Sequence, residues 1–94
     1  MQIIHRAGKG FFALSEEGKQ IGELLYVELE EGKQLRFDHT IVDEDQEGKG
    51  IGKALVAFGV AHARGHGQRI IPACPYVAVL FKRHPEMYTD VVAG

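Results

Sequence analysis

Apolar residues alternate with polar ones through the first half of the chain and take up a helical period in the second. Ile3 and Ile4 open a strand that Gly8-Lys9-Gly10 ends, and FFALS over 11–15 is a second short run, closed by the turn EEGK at 16–19. In IGELLYVELE, 21–30, Leu25, Val27 and Leu29 face one way and Tyr26, Glu28 and Glu30 the other. EEGK at 30–33 is a hairpin-like break. LRFDHTIV, 35–42, alternates again, placing Leu35, Phe37, His39 and Ile41 on one face and Arg36, Asp38, Thr40 and Val42 on the other. Beyond it Ile51, Ala54, Leu55, Phe58 and Ala61 fall on one helical face, and Gly65-His66-Gly67 stops that helix. QRIIPAC, 68–74, is a further strand, so strand 35–42, helix 51–64 and strand 69–74 make one βαβ unit with parallel strands. YVAVLFKRH, 76–84, is a short second helix ended by Pro85, and Tyr88 to Val92 reads as a last strand. Antiparallel strands followed by a βαβ core predict an α/β (α+β) fold built on one mixed sheet.

Composition narrows the setting. Ninety-four residues, 45% of them apolar, make one small domain over 1–94 with a real core. A net charge of −2 gives no electrostatic reason to expect nucleic acid or an anionic membrane as partner. The run Ala54 to Ala61 is too short to span a bilayer, and MQIIHRAGKGFF does not have the build of a signal peptide. With a single cysteine, no internal disulfide can form. These features together predict a cytoplasmic location.

Three features carry candidate chemistry. The first is DEDQEGKGIGKAL, 43–55, with acids at Asp43, Glu44, Asp45 and Glu47 and glycines at Gly48, Gly50 and Gly52. It stands between a strand and a helix, where glycine lets backbone N–H groups approach a phosphate and the helix N-terminus adds partial positive charge. Neither the Walker nor the Rossmann pattern fits: Glu47 and Ala54 break the first, and Lys53 breaks the second. A flexible glycine turn is the plainer alternative. The second feature is IIPACPY, 70–76. Pro72 cannot donate within a sheet, so the strand is expected to leave its neighbour there and open a wedge at the strands' carboxyl ends. Cys74 lies at that point, either as a small buried apolar residue or as an acyl-accepting thiol activated by the following helix. The third is His39, a candidate general base or else a half-buried structural histidine; it and Cys74 would face the same wedge. His62 and His66 have the spacing of a metal pair but no third ligand, so no metal is expected.

Taken together, these residues resemble the GNAT superfamily of acyl-CoA-dependent N-acetyltransferases, and more closely a minimal single-domain subfamily of it. The superfamily's cofactor motif (Arg or Gln, any two residues, Gly, any residue, Gly or Ala) falls on Glu47 to Gly52, with Gly50 and Gly52 matching and Glu47 in place of the usual cation or amide. The subfamily's His-Thr pair is His39-Thr40, its Cys-Pro-aromatic stretch is Cys74-Pro75-Tyr76, and its His-Pro-Glu is His84-Pro85-Glu86. The resemblance covers roughly residues 20 to 90 and implies a GNAT-like sheet with splayed parallel strands that binds acetyl-CoA. Backbone groups of Ile41 and Val42 would hold the pantetheine, and N–H groups of Gly48, Lys49, Gly50, Ile51, Gly52 and Lys53 the pyrophosphate, with Glu47 at the first position of the same cofactor-binding motif. Cys74 would be catalytic with His39, and Tyr76 would substitute for the tyrosine acid that relatives carry where this chain has Leu80. The implied activity is acetyl transfer to an amine of unknown identity, directly or through Cys74. The alternative is a CoA-binding module without efficient catalysis.

Overall fold

The computed structural model describes residues 1–93. A five-stranded sheet runs in chain order: β1 (Gln2–Arg6), β2 (Gly10–Leu14), β3 (Gln20–Leu29), β4 (Gln34–Val42) and β5 (Arg69–Pro72). The first four strands pair antiparallel; β5 pairs parallel to β4 after a crossover through α1 (Ile51–Gly65). α2 (Pro75–Arg83) packs on β4 and β5, and the single turn α3 (Pro85–Tyr88) follows. This is the mixed α+β sheet that the two hydrophobic periods predict. No helix among the described residues is long and apolar enough to cross a membrane.

The core lies between the sheet and its helices. Phe11, Leu24, Leu35 and Phe37 meet Leu55, Val56 and Val60 of α1, with Val77 of α2 and Val91 beside them. The buried face of α1 is turned away from the expected one. Phe58 is 40% exposed and Ala61 is exposed, whereas Val56, Gly59, Val60 and Ala63 are buried. The cause is Gly59, where a Cβ would stand 2.8 Å from Phe37 Cζ and 3.2 Å from Phe11 Cε2. The helix comes closest to the sheet where it has no side chain, and a hydrophobic-period reading gives glycine no weight.

The strand faces differ too. Tyr26 stands opposite Phe37 and Leu25 opposite His39, so β4 carries one extra residue, Asp38, against its partner. Such a bulge reverses the side-chain alternation beyond it. Leu35, Phe37, Thr40 and Val42 therefore share the face toward α1, while His39 and Ile41 are exposed on the other. On β3 it is Leu24 and Tyr26 that point inward, and Val27 is exposed. Pro85 ends α2 as expected but also starts a further helical turn, and the expected last strand reduces to one bridge, Ile70 to Val92.

Far from β5's carboxyl end, histidines pack together. His5 on β1 lies 4.3 Å from His62 and His62 lies 4.1 Å from His66, measured between ring centres. The Tyr26 hydroxyl accepts from the Gly8 N–H at 3.0 Å and pairs with His5 Nε2 at 2.6 Å, which ties β1 and the turn after it to β3. Burial, then the charge of neighbouring histidines, holds both His5 and His62 below their ordinary value of 6.5; Glu28 opposes this for both, and Gln68 for His62.

Two outcomes are expected. Gly59→Val forces Phe37 aside and lowers stability by about 1–3 kcal/mol in urea unfolding; an unchanged midpoint would contradict the close approach. Depressed histidine values mean that the folded state binds fewer protons than the unfolded one. Stability is then level above about pH 6.5 and falls as pH drops through the lowered folded-state values. Urea midpoints between pH 8 and pH 5 check this, and His62→Gln flattens the slope.

Candidate functional site

β4 and β5 part at a fixed point. Their ladder ends at Phe37 opposite Pro72, which has no N–H to continue it. The Cys74 N–H makes one last bond to the Phe37 carbonyl at 2.8 Å, and Pro75 then begins α2. From residue 38 to 42, β4 runs on without β5 beside it. The gap opens into a cleft of about 420 Å³. Thr40 and Val42 line it from β4, Gln46, Glu47, Gly48 and Gly50 from the loop, Ile51 and Gly52 from the first turn of α1, and Tyr76 from α2.

The loop is shaped by backbone conformation. Gly48 and Gly50 have φ of 83° and 77°, a left-handed region that side chains disfavour. Gly50 is the N-cap of α1, offers no side chain to bond, and no acid follows in the first turn. The first helical bond runs from the Ala54 N–H to the Gly50 carbonyl, so the N–H groups of Ile51, Gly52 and Lys53 have no partner inside the helix. Gly52 lets α1 and Tyr76 come close: a Cβ there would lie 3.1 Å from Tyr76 Oη, a tight contact. The Tyr76 ring thus lies against the first turn of α1 and brings the start of α2 to the same end of the cleft.

Cys74 is the N-cap of α2 and only 5% exposed. Its Sγ lies 3.5 Å from Thr40 Oγ1. Pro75 at the first helical position has no N–H, so Tyr76 and Val77 present the first free ones. Burial pushes the Cys74 thiol up, but the Thr40 hydroxyl and the Val77 and Tyr76 N–H groups outweigh it and bring the thiol below its ordinary value. Tyr76 is held above its ordinary value by burial, then by Cys74 and Tyr88. Its phenol therefore keeps its proton and remains a donor.

The structure brings Val42, Glu47, Gly48, Gly50, Ile51, Gly52 and Tyr76 to one cleft, with Cys74 behind Thr40. It does not bring His39 there. The bulge turns that side chain to the exposed face of β4, so the expectation that His39 shares the Cys74 wedge is corrected. Ile41 also faces outward, leaving only its backbone for the cleft. Lys49 donates to Gln46 Oε1 at 3.1 Å and lines a neighbouring cavity of about 330 Å³ instead, and Lys53 is exposed on α1. Thr40 is the residue the periodicity misses, because one extra residue at Asp38 leaves no trace in composition or hydropathy. Among the four acids only Glu47 lines the cleft; Glu44 and Asp45 are exposed in a 3-10 turn.

Comparison with known proteins adds three observations. The GCN5-related N-acetyl-transferase family profile matches residues 10–91. An NMR structure of a GCN5-like protein from Staphylococcus aureus is 27% identical, with a TM-score of 0.74 over 99% of this chain and 88% of that one. The Escherichia coli GNAT family N-acetyltransferase YhbS, solved in complex with CoA, shares the fold at 22% identity and a TM-score of 0.57, over 66% of this chain and 38% of that one. Comparison with curated proteins gives no match. The family profile spans β2 to β5, the glycine loop and Cys74 alike, and the chain belongs to the GCN5-related N-acetyltransferase family.

Proposed function

We propose that the cleft binds acetyl-CoA and that the protein moves the acetyl group to an amine. The observation that carries this reading is the union of two features in one cavity. Free N–H groups at the start of α1 stand at the glycine loop, and the unpaired edge of β4 lies beside them. The first suits a pyrophosphate. The second offers backbone donors and acceptors to a pantetheine amide chain. The thioester would then lie near Thr40 and Tyr76.

Two routes move the acetyl group. In the direct route the amine nitrogen attacks the thioester carbon, the C–S bond breaks, and CoA leaves as a thiolate that takes a proton. The amine proton goes to a base. His39 can serve only an amine arriving from the exposed face of β4, since its side chain stands there. In the covalent route the Cys74 thiolate attacks the thioester carbon and the C–S bond to CoA breaks; the amine then attacks the Cys74 thioester, that C–S bond breaks, and the amine proton passes to the released Cys74 sulfur. Here the start of α2 activates Cys74, as expected of the following helix, and the Thr40 hydroxyl acts beside it in place of His39. Tyr76 is the donor available to the departing CoA thiolate in either route, and N–H groups along the parted strand would steady the tetrahedral oxyanion. The partners are acetyl-CoA and an amine, and the setting is the reducing cytoplasm, where the single thiol stays free.

Calorimetry with acetyl-CoA and with ATP tests the reading. Heat with acetyl-CoA alone is expected; silence with acetyl-CoA ends it, and binding without transfer to any amine leaves a CoA-binding module. For the routes, kcat on an amine panel decides. Loss of His39 as base lowers kcat by roughly 10²–10⁴-fold in the direct route, and Cys74→Ala then leaves transfer intact. The covalent route gives the reverse. Glu47→Gln is expected to tighten acetyl-CoA by about 1 kcal/mol, the size of a unit-charge contact in water. The gain shrinks at high salt, and an unchanged Kd would show the carboxylate clear of the phosphates.

A further inference from the structure

We propose that Thr40 is a positioning residue for Cys74, holding the sulfur at the back of the cleft and supporting its anionic form. The inference rests on the reading of the cleft as an acyl-CoA site, but its own test does not need CoA.

Three observations meet at this side chain. The bulge at Asp38 turns Thr40 inward, where uninterrupted alternation would have placed His39. Thr40 lines the cleft, while its hydroxyl oxygen lies 3.5 Å from Cys74 Sγ. It therefore touches both the cavity and the nearly buried sulfur at the cavity's inner end. Lastly, Cys74 is an N-cap whose side chain makes no capping bond, although Tyr76 and Val77 have free N–H groups next to it. A thiol is a poor acceptor for those groups; a thiolate is a good one.

A hydroxyl suits both states of the sulfur. When Cys74 is a thiol, its S–H donates to Thr40 Oγ1, as the structure has it. When Cys74 is a thiolate, the hydroxyl rotates and donates to the sulfur. The same contact then joins the Tyr76 and Val77 N–H groups around one anion, and the sulfur need not move. Valine in place of Thr40 keeps the shape and removes only this bond, so it separates the hydroxyl from simple space filling.

The test is the ultraviolet absorbance of thiolate against pH. One cysteine in the chain means one signal, and Cys74→Ser supplies the blank. For Thr40→Val the thiolate fraction at a fixed pH below the midpoint is expected to fall about tenfold, as loss of one bond to a charged group implies. Thr40→Ser is expected to restore it. A wild-type titration in Thr40→Val overturns the inference, and so does an equal shift in Thr40→Val and Thr40→Ser, since the hydroxyl would then be irrelevant. If Thr40→Val does not fold, Thr40→Ala against Thr40→Ser decides on the same terms. Acetyl-CoA calorimetry on the wild type runs beside it: binding with an unshifted Thr40→Val titration removes Thr40's role alone, and no binding removes the acyl-CoA reading.

Discussion

Everything at this end of the molecule depends on where β4 loses its parallel neighbour. Buried backbone N–H and C=O groups have to be paired, so a strand leaves a sheet only where something stops the ladder. Pro72 stops it by lacking an N–H, the Cys74 N–H closes the last bond to Phe37, and Pro75 commits the chain to a helix. β4 cannot follow, because β3 still holds it to Val42. Five residues of β4 are left with one edge open, and that edge is a wall of the cleft. One residue earlier or later, the cleft would open at another depth and another pair of side chains would face it.

The bulge at Asp38 stands just past the parting point, and the two act together. Parting alone would have opened a gap lined by His39 and Ile41. With one residue inserted, Thr40 and Val42 face the gap, and His39 goes to the far side of the strand. The polar group nearest Cys74 is consequently a hydroxyl, able to donate or accept, and not an imidazole. A sulfur next to an imidazole would trade a proton with it. Beside a hydroxyl it can only be steadied in whichever state the local N–H groups favour. The choice of chemistry follows from one residue of strand register.

Most of the architecture was legible because period survives small errors. The βαβ unit, the glycine stop after α1 and the break at Pro72 all follow from features that no neighbour can override. Register was not legible. Leu35, Phe37, His39 and Ile41 alternate without a flaw, and nothing in that string marks Asp38 as extra; the bulge is a property of β4 paired with β3. Gly59 failed for a related reason. It looks like a weak point in a helix, yet it is where α1 comes nearest to Phe11 and Phe37. Cys74 could be placed at the strand end from its flanking prolines, but its partner could not, since Thr40 meets it across thirty-four positions of chain.

The acids at the mouth of the glycine loop can now be weighed one by one. Glu44 and Asp45 are carried outward on a short turn, and Asp43 gives its N–H to the Ile21 carbonyl, which pins the loop to the sheet. Glu47 alone shares the cleft, while Lys49 is held by Gln46 beside the neighbouring cavity. The positive potential facing an anion here is therefore mainly that of the α1 N-terminus, about half an elementary charge. A site built in this way recognises a phosphate by the direction of its N–H groups and not by net charge. Its selectivity should then resist salt, because fixed dipoles in contact with a ligand are screened far less than charges on mobile side chains. Glu47 works against those N–H groups: its carboxylate repels any anion in the cleft, so a bound phosphate has to be held by directed N–H bonds strong enough to outweigh it.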